Sequence, residues 1–110
     1  MSQINVTVTV NNFTNGLVSC SYSPAGPYQI TKKNQQVIFT LDAGSVANGW
    51  QYNGYILSFP AGQLSISGSG NSVTVSDKDS VGGIVNYNLG MSQNKAPAVW
   101  SDPQNNNIPD

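Results

Sequence analysis

Ile4, Val6, Val8 and Val10 alternate with Asn5, Thr7 and Thr9, so one face of this stretch is apolar and the other polar. That period of two is the signature of a half-buried β-strand. Asn15-Gly16 tolerates positive φ at both positions and predicts a two-residue turn into a second strand, Leu17 to Tyr22. Pro24, Gly26 and Pro27 end that strand, and Tyr28-Gln29-Ile30 forms a short segment after them. Gln36 to Leu41 is the next strand, with Val37, Phe39 and Leu41 on one face. Asp42 to Ser45 breaks it, and residues 46–49 read as a loop closing on an Asn48-Gly49 turn.

Residues 50–59 are the most aromatic run, and the other segments look cut to lie beside or across from it. Trp50 and Tyr52 fall in the loop that feeds this strand, and Asn53-Gly54 is a turn or a bulge. Beyond it Tyr55, Leu57 and Phe59 share one face. Leu64 to Ser67 and Ser72 to Ser76 are strands joined by the glycine-rich residues 68–71. Asp77 to Ser80 forms a corner before Gly83 to Met91, which turns Val85, Tyr87, Leu89 and Met91 inward. Ala98 to Asp102 is the last strand. Residues 104–110 read as a polar, mobile tail after the domain of residues 1–103.

Seven to eight evenly spaced short strands predict an all-β fold, a single immunoglobulin-like antiparallel β-sandwich. The length of 110 residues suits one domain.

Composition sharpens this picture. Charged residues make up only 8% of the chain, against about 25% in an ordinary globular protein. There are Lys and Asp but no Arg, Glu or His. Asn, Ser, Gln and Thr carry the polarity, and Ser, Asn and Thr disfavour helix interiors. A net charge of −1, with Lys32-Lys33 as the one adjacent cation pair, argues against nucleic acid and against anionic membranes. No apolar run is long enough to span a bilayer. No basic-then-apolar leader precedes the first strand, so a cytoplasmic location is the expectation.

The Asp79–Leu89 corner resembles that of an immunoglobulin-type sandwich: an acidic turn runs into a strand whose Tyr87 is placed to hydrogen-bond back across it. Leu89 stands where antibody domains carry cysteine, so the likeness is to the topology and not to antibodies. Three stretches are similar to the small bacterial DP-EP family: Gly54–Phe59, Ser72–Tyr87 and the Trp100-Ser101-Asp102-Pro103 ending. That resemblance covers about two thirds of the chain. It implies a one-domain β-sandwich and brings no catalytic residues with it. The Asn105-Asn106-Asn107 run and the lack of Glu depart from the family pattern.

Chemistry narrows by subtraction. Without His there is no standard Ser-His-Asp or Cys-His arrangement, and without Arg no bidentate anion clamp. Cys20 is a single cysteine within an alternating strand, best read as a small hydrophobe. Asp77 and Asp79 open like a calcium loop, yet the Gly and Glu that such a loop requires are missing, so an acidic turn is the stronger reading. Asn5 and Asn12 fit the glycosylation pattern by chance.

Trp50, Tyr52, Tyr55 and Trp100 are aromatic, and Asn48, Gln51 and Asn53 share a loop with the first two. Ring faces flanked by amides are what a sugar site needs. The ordinary alternative for the set is burial in a sandwich core, with Trp50 the best candidate to escape it. No enzyme activity and no cofactor are expected. The expectation is a non-catalytic binding module that takes a glycan, another neutral polar ligand or a protein partner through end loops near Trp50, using Trp50, Tyr52, Asn48, Asn53 and Trp100. The alternative is a structural protein that self-associates through strand edges.

Overall fold

A computed structural model describes residues 3–14, 17–57, 64–68, 70–78, 82–94, 99–101 and 104–107. The strands are β1 (Gln3–Thr14), β2 (Leu17–Ser23), β3 (Tyr28–Ile30), β4 (Gln35–Leu41), β5 (Trp50–Leu57), β6 (Leu64–Ser67), β7 (Ser72–Asp77), β8 (Gly83–Gln93), β9 (Val99–Ser101) and β10 (Gln104–Asn107). Among the described residues the one helix is α1 (Ala43–Ala47). The chain is therefore mostly β with almost no helix, as its composition requires.

The ladders run in the order β3-β10-β8-β9-β2-β1-β4-β7-β6, with β5 added on β8. The expectation of purely antiparallel pairing is corrected. β1 pairs β4 in parallel, as β10 does β3 and β2 does β9, so the pairing is mixed. Alternation along a strand fixes which side chains face inward, and it carries no information about the direction of the neighbouring strand.

The inward faces meet in one core. Val6 and Val8 of β1, Val37, Phe39 and Leu41 of β4, Val73 and Val75 of β7, and Val85, Tyr87, Leu89 and Met91 of β8 are all buried in it. Phe39 is the hub. Tyr22, Tyr28 and Tyr87 approach it edge-on, with ring centroids 6.1, 5.6 and 6.2 Å away. β3 and β8 share no ladder with β4, so the Tyr28 and Tyr87 rings reach Phe39 through side-chain packing. Edge-to-face pairs of this kind each contribute about 0.5–1.5 kcal/mol beyond area burial.

Three further expectations change. Residues 46–49 are not simply loop: Asp42 caps α1, its Oδ1 accepting from the Ser45 N–H at 2.8 Å. Trp50 and Tyr52 lie in β5 itself, opposite Gln93 and Met91 of β8. The register shift between Tyr52 and Tyr55 makes Asn53-Gly54 a bulge and not a turn. Residues 104–107 are no free tail. They form β10, hydrogen-bonded to β3 on one side and β8 on the other, with Asn105 and Asn107 buried. The Asn15-Gly16 turn and residues 95–98 lie outside the described residues.

Glycine is required where α1 hands over to β5. Gly49 has φ +91°, and a Cβ there would lie 2.2 Å from Asn94 Oδ1. The Asn94 N–H donates to the Gly49 carbonyl at 2.8 Å, locking this turn to the end of β8.

Candidate functional site

Strands β2, β1, β4, β7 and β6 lie side by side in the ladder order. Each alternates, so their outward residues form one face, and the register arranges that face in rows. Ser23, Thr7, Thr40 and Ser72 lie opposite one another across four strands. Asn5, Ile38, Thr74 and Ser67 form the next row. Gln3, Gln36, Ser76 and Ser65 form a third. Neighbouring side chains within a row are about 4.8 Å apart, and successive rows about 7 Å.

Hydroxyls and amides dominate this grid, and it carries no charged residue. Gln3 Nε2 donates to Gln36 Oε1 at 3.0 Å, and Gln36 Nε2 reaches Ser76 Oγ at 3.5 Å, so the third row is an amide ladder. Ile38 is half-buried on the central strand and gives the face a single apolar spot. Among the described residues the charges that reach the surface lie in connections at the edges: Lys32 and Lys33 before β4, Asp42 after it, and Lys78 after β7. Asp42 is itself engaged. Hydrogen bonds from the Thr9 hydroxyl and then from Ser45 hold its carboxyl below the usual carboxylate range. Ser45 Oγ in turn accepts the Val10 N–H at 2.9 Å, beside the β1 bulge.

A second polar cluster is internal. Tyr87 Oη donates to Asn105 Oδ1 at 2.9 Å, and Asn105 Nδ2 donates to Asp77 Oδ2 at 2.9 Å. Asn107 Nδ2 donates to Asp77 Oδ1 at 2.9 Å. All four residues are buried. This corrects the tyrosine-corner reading, because Tyr87 bonds forward to β10 and reaches the acidic residue only through the Asn105 amide. Burial pushes the Tyr87 hydroxyl well above its ordinary pKa, and the nearby Tyr28 and Asp77 add to the shift.

The residues singled out from the sequence divide. Trp50 and Tyr52 belong to the core, with 7% and 3% of their surface exposed, so neither offers a ring face to a sugar. The Trp50 expectation fails because β5 begins at Trp50 itself and turns that ring inward. The Tyr52 hydroxyl is buried and meets no partner, and burial raises its pKa strongly, with Tyr22, Cys20 and Tyr28 contributing. Asn48 and Asn53 are exposed. The Asn48 carbonyl accepts from Gln93 Nε2 at 3.1 Å, and Asn53 Nδ2 donates to Ser92 Oγ at 3.0 Å. Trp100 pairs with Gly90 and Leu17 through its backbone, and its side chain lies outside the described residues, as does that of Tyr55. Among the described residues the segment around Trp50 therefore presents the amides of Asn48, Gln51 and Asn53 and no aromatic platform.

Asp77 is fully buried with both its oxygens accepting from amide donors, so it does not face solvent as a cation ligand would, and Asp79 lies outside the described residues. Among the described residues no three His, Cys, Asp or Glu side chains group in a way that could hold a metal ion. None of the described helices is long and apolar enough to cross a membrane.

Part of the outward grid is legible in the sequence. Asn5, Thr7 and Thr9 share a face, as alternation requires. What alternation could not give was the alignment of five such faces into rows. The chain matches no protein-family model and no curated protein.

Proposed function

We propose that this protein is a non-catalytic recognition module, an immunoglobulin-like β-sandwich that engages a neutral polar ligand through the face of β2, β1, β4, β7 and β6. The observation that carries the reading is the register itself: three rows across neighbouring strands, every side chain a hydroxyl or amide except Ile38, with no charge among them. Such a surface offers donors and acceptors at regular intervals. The two-layer architecture is supported by the Phe39 hub, whose partners Tyr28 and Tyr87 come from strands that share no ladder with β4. The DP-EP resemblance fits this architecture and adds no chemistry. The non-catalytic part rests on the absence of His, Arg and Glu from the whole sequence.

A glycan array probed with the parent and with Thr40→Lys tests the reading. Thr40 is exposed at the centre of the face, so the variant folds and places a cation in a neutral row. Signals on uncharged glycans that vanish in the variant are expected. An array blank for the parent, or equal for both proteins, would end the proposal.

A second reading, self-association through strand edges, is favoured by β6 and β3. Each is hydrogen-bonded on one side only among the described strands. Light scattering over a concentration series decides it, and a monomer throughout counts against it.

A further inference from the structure

We infer that Asn53 is a site of spontaneous covalent modification: the Gly54 nitrogen closes a five-membered imide onto its side chain, and water reopens the ring as aspartate or isoaspartate. This stands apart from the ligand reading above. Asn48-Gly49 and Asn53-Gly54 share the chemistry, because glycine places no Cβ beside the attacking nitrogen, and both asparagines are exposed. The fold separates them.

In the first step the Gly54 nitrogen gives its proton to solvent and bonds to Asn53 Cγ, and Nδ2 leaves as ammonia. Water then adds to either imide carbonyl and breaks its bond to that nitrogen. One water is taken up and one ammonia released, with no oxidation. Closing the ring swings the peptide unit between the two residues about the asparagine Cα–C bond. At Asn48 both polar groups of that unit are held. The Gly49 N–H donates to the Val46 carbonyl at 3.0 Å, and the Asn48 carbonyl accepts from Gln93 Nε2 at 3.1 Å. The swing must break both bonds.

The second pair lies in the bulge. Tyr52 pairs with Met91 and Tyr55 with Leu89, so Asn53 and Gly54 together stand opposite Gly90 alone. A bulge of two residues against one interrupts the ladder and leaves a residue unpaired, and Gly90 puts no side chain against it. Asn53 Nδ2 donates to Ser92 Oγ at 3.0 Å, a bond that goes with the departing ammonia. The product adds one negative charge to a chain whose net charge is −1. Its isoaspartate form adds one backbone atom to β5, at the point where the register already slips.

The experiment incubates the parent at mildly alkaline pH, well below the range in which tyrosine titrates, beside a sample in concentrated urea. Chymotryptic cleavage after Trp50 and Tyr52 separates the two asparagines, and tandem mass spectrometry follows carboxylate for amide at each. In the native protein Asn53 should convert about tenfold or more faster than Asn48, the factor set by the two hydrogen bonds that hold the Asn48 unit. In urea the two rates should converge, because only the fold distinguishes the pairs. Isoaspartate should appear at residue 53 beside aspartate, the mark of a ring opened on either side. Equal native rates, or a faster Asn48, would overturn the inference. So would a ratio that persists in urea, or no native conversion at residue 53 while the urea sample converts fully. Aspartate at residue 53 without isoaspartate would also overturn it, since direct hydrolysis needs no attack by Gly54.

Discussion

Two regions of this protein are built from the same small set of polar side chains and do opposite things with them. On the outer face, Asn5, Gln3 and Gln36 lie among hydroxyls, exposed or half-exposed, and tolerate exchange with water. Inside, Asn105 and Asn107 are sealed around Asp77, and their amides answer specific lone pairs. What separates the two is replaceability. A water molecule stands in for any lost partner outside, whereas a buried group left without one costs about 1–3 kcal/mol. Asparagine here is surface chemistry in one place and core in another.

The largest effect should come from removing the hub of the internal cluster. Asp77→Ala takes the acceptors from two buried amides at once and should cost about 3 kcal/mol or more, read as a lower urea midpoint. Asp77→Asn keeps one oxygen acceptor and turns an amide NH2 toward a donor, so it should fall between the parent and Asp77→Ala. An unchanged midpoint for Asp77→Ala would erase the distinction between the two regions.

Alkaline pH should come next. Burial pushes Tyr28 up to about 12 and raises Tyr52 and Tyr87 strongly as well. Their folded pKa values exceed the unfolded value of about 10, so the unfolded chain releases these protons first. Their contribution is complete below about pH 10. It is lost as pH rises toward and through 12. Circular dichroism against pH should show unfolding in that window, and tyrosines titrating near 10 with the fold intact would contradict the burial assigned to them.

Much of this architecture was legible in the sequence, and the failures share a cause. β1 and β8 announce themselves because every second residue is apolar and that face is buried. β10 could not be read this way. Gln-Asn-Asn-Asn has no apolar face, and its burial depends on a carboxylate 28 residues upstream of Asn105. Helix α1 was missed because five residues are too few for a helical period to show, although Asp42 three residues before Ser45 is its cap. Trp50 looked solvent-facing because its neighbours are Gly and Gln, but ladder pairing with Gln93 decides its side. For the site, strand-by-strand polarity was visible, while the register that aligns it is a tertiary fact.

A smaller, paired effect refines the comparison within the interior. Tyr87→Phe deletes the donor to Asn105 Oδ1 and should cost about 1–2 kcal/mol. Tyr52→Phe removes a buried hydroxyl that meets no partner, and should be neutral or mildly stabilising. Thermal melts of the two variants side by side check this. Equal losses would show that the hydrogen bond to Asn105 does not distinguish the two buried hydroxyls.

The smallest effect on stability belongs to the outer face, where Thr40→Lys and Asn5→Lys should each move the folding free energy by no more than about 0.5 kcal/mol. The reason is positional. Both side chains are exposed, and neither completes a buried network. A lysine on a strand also keeps its ammonium in water while its stem lies over neighbouring side chains. Binding should respond in the opposite order. A cation at Thr40 stands in a row with Thr7 and Ser72 and forces any neutral ligand on that row to desolvate a charge it cannot match. Stability held and binding lost would mark the face as a surface shaped for contact. If instead Thr40→Lys unfolds the chain as Asp77→Ala does, the hydroxyl rows are structural like the interior cluster, and the contrast between the two regions collapses.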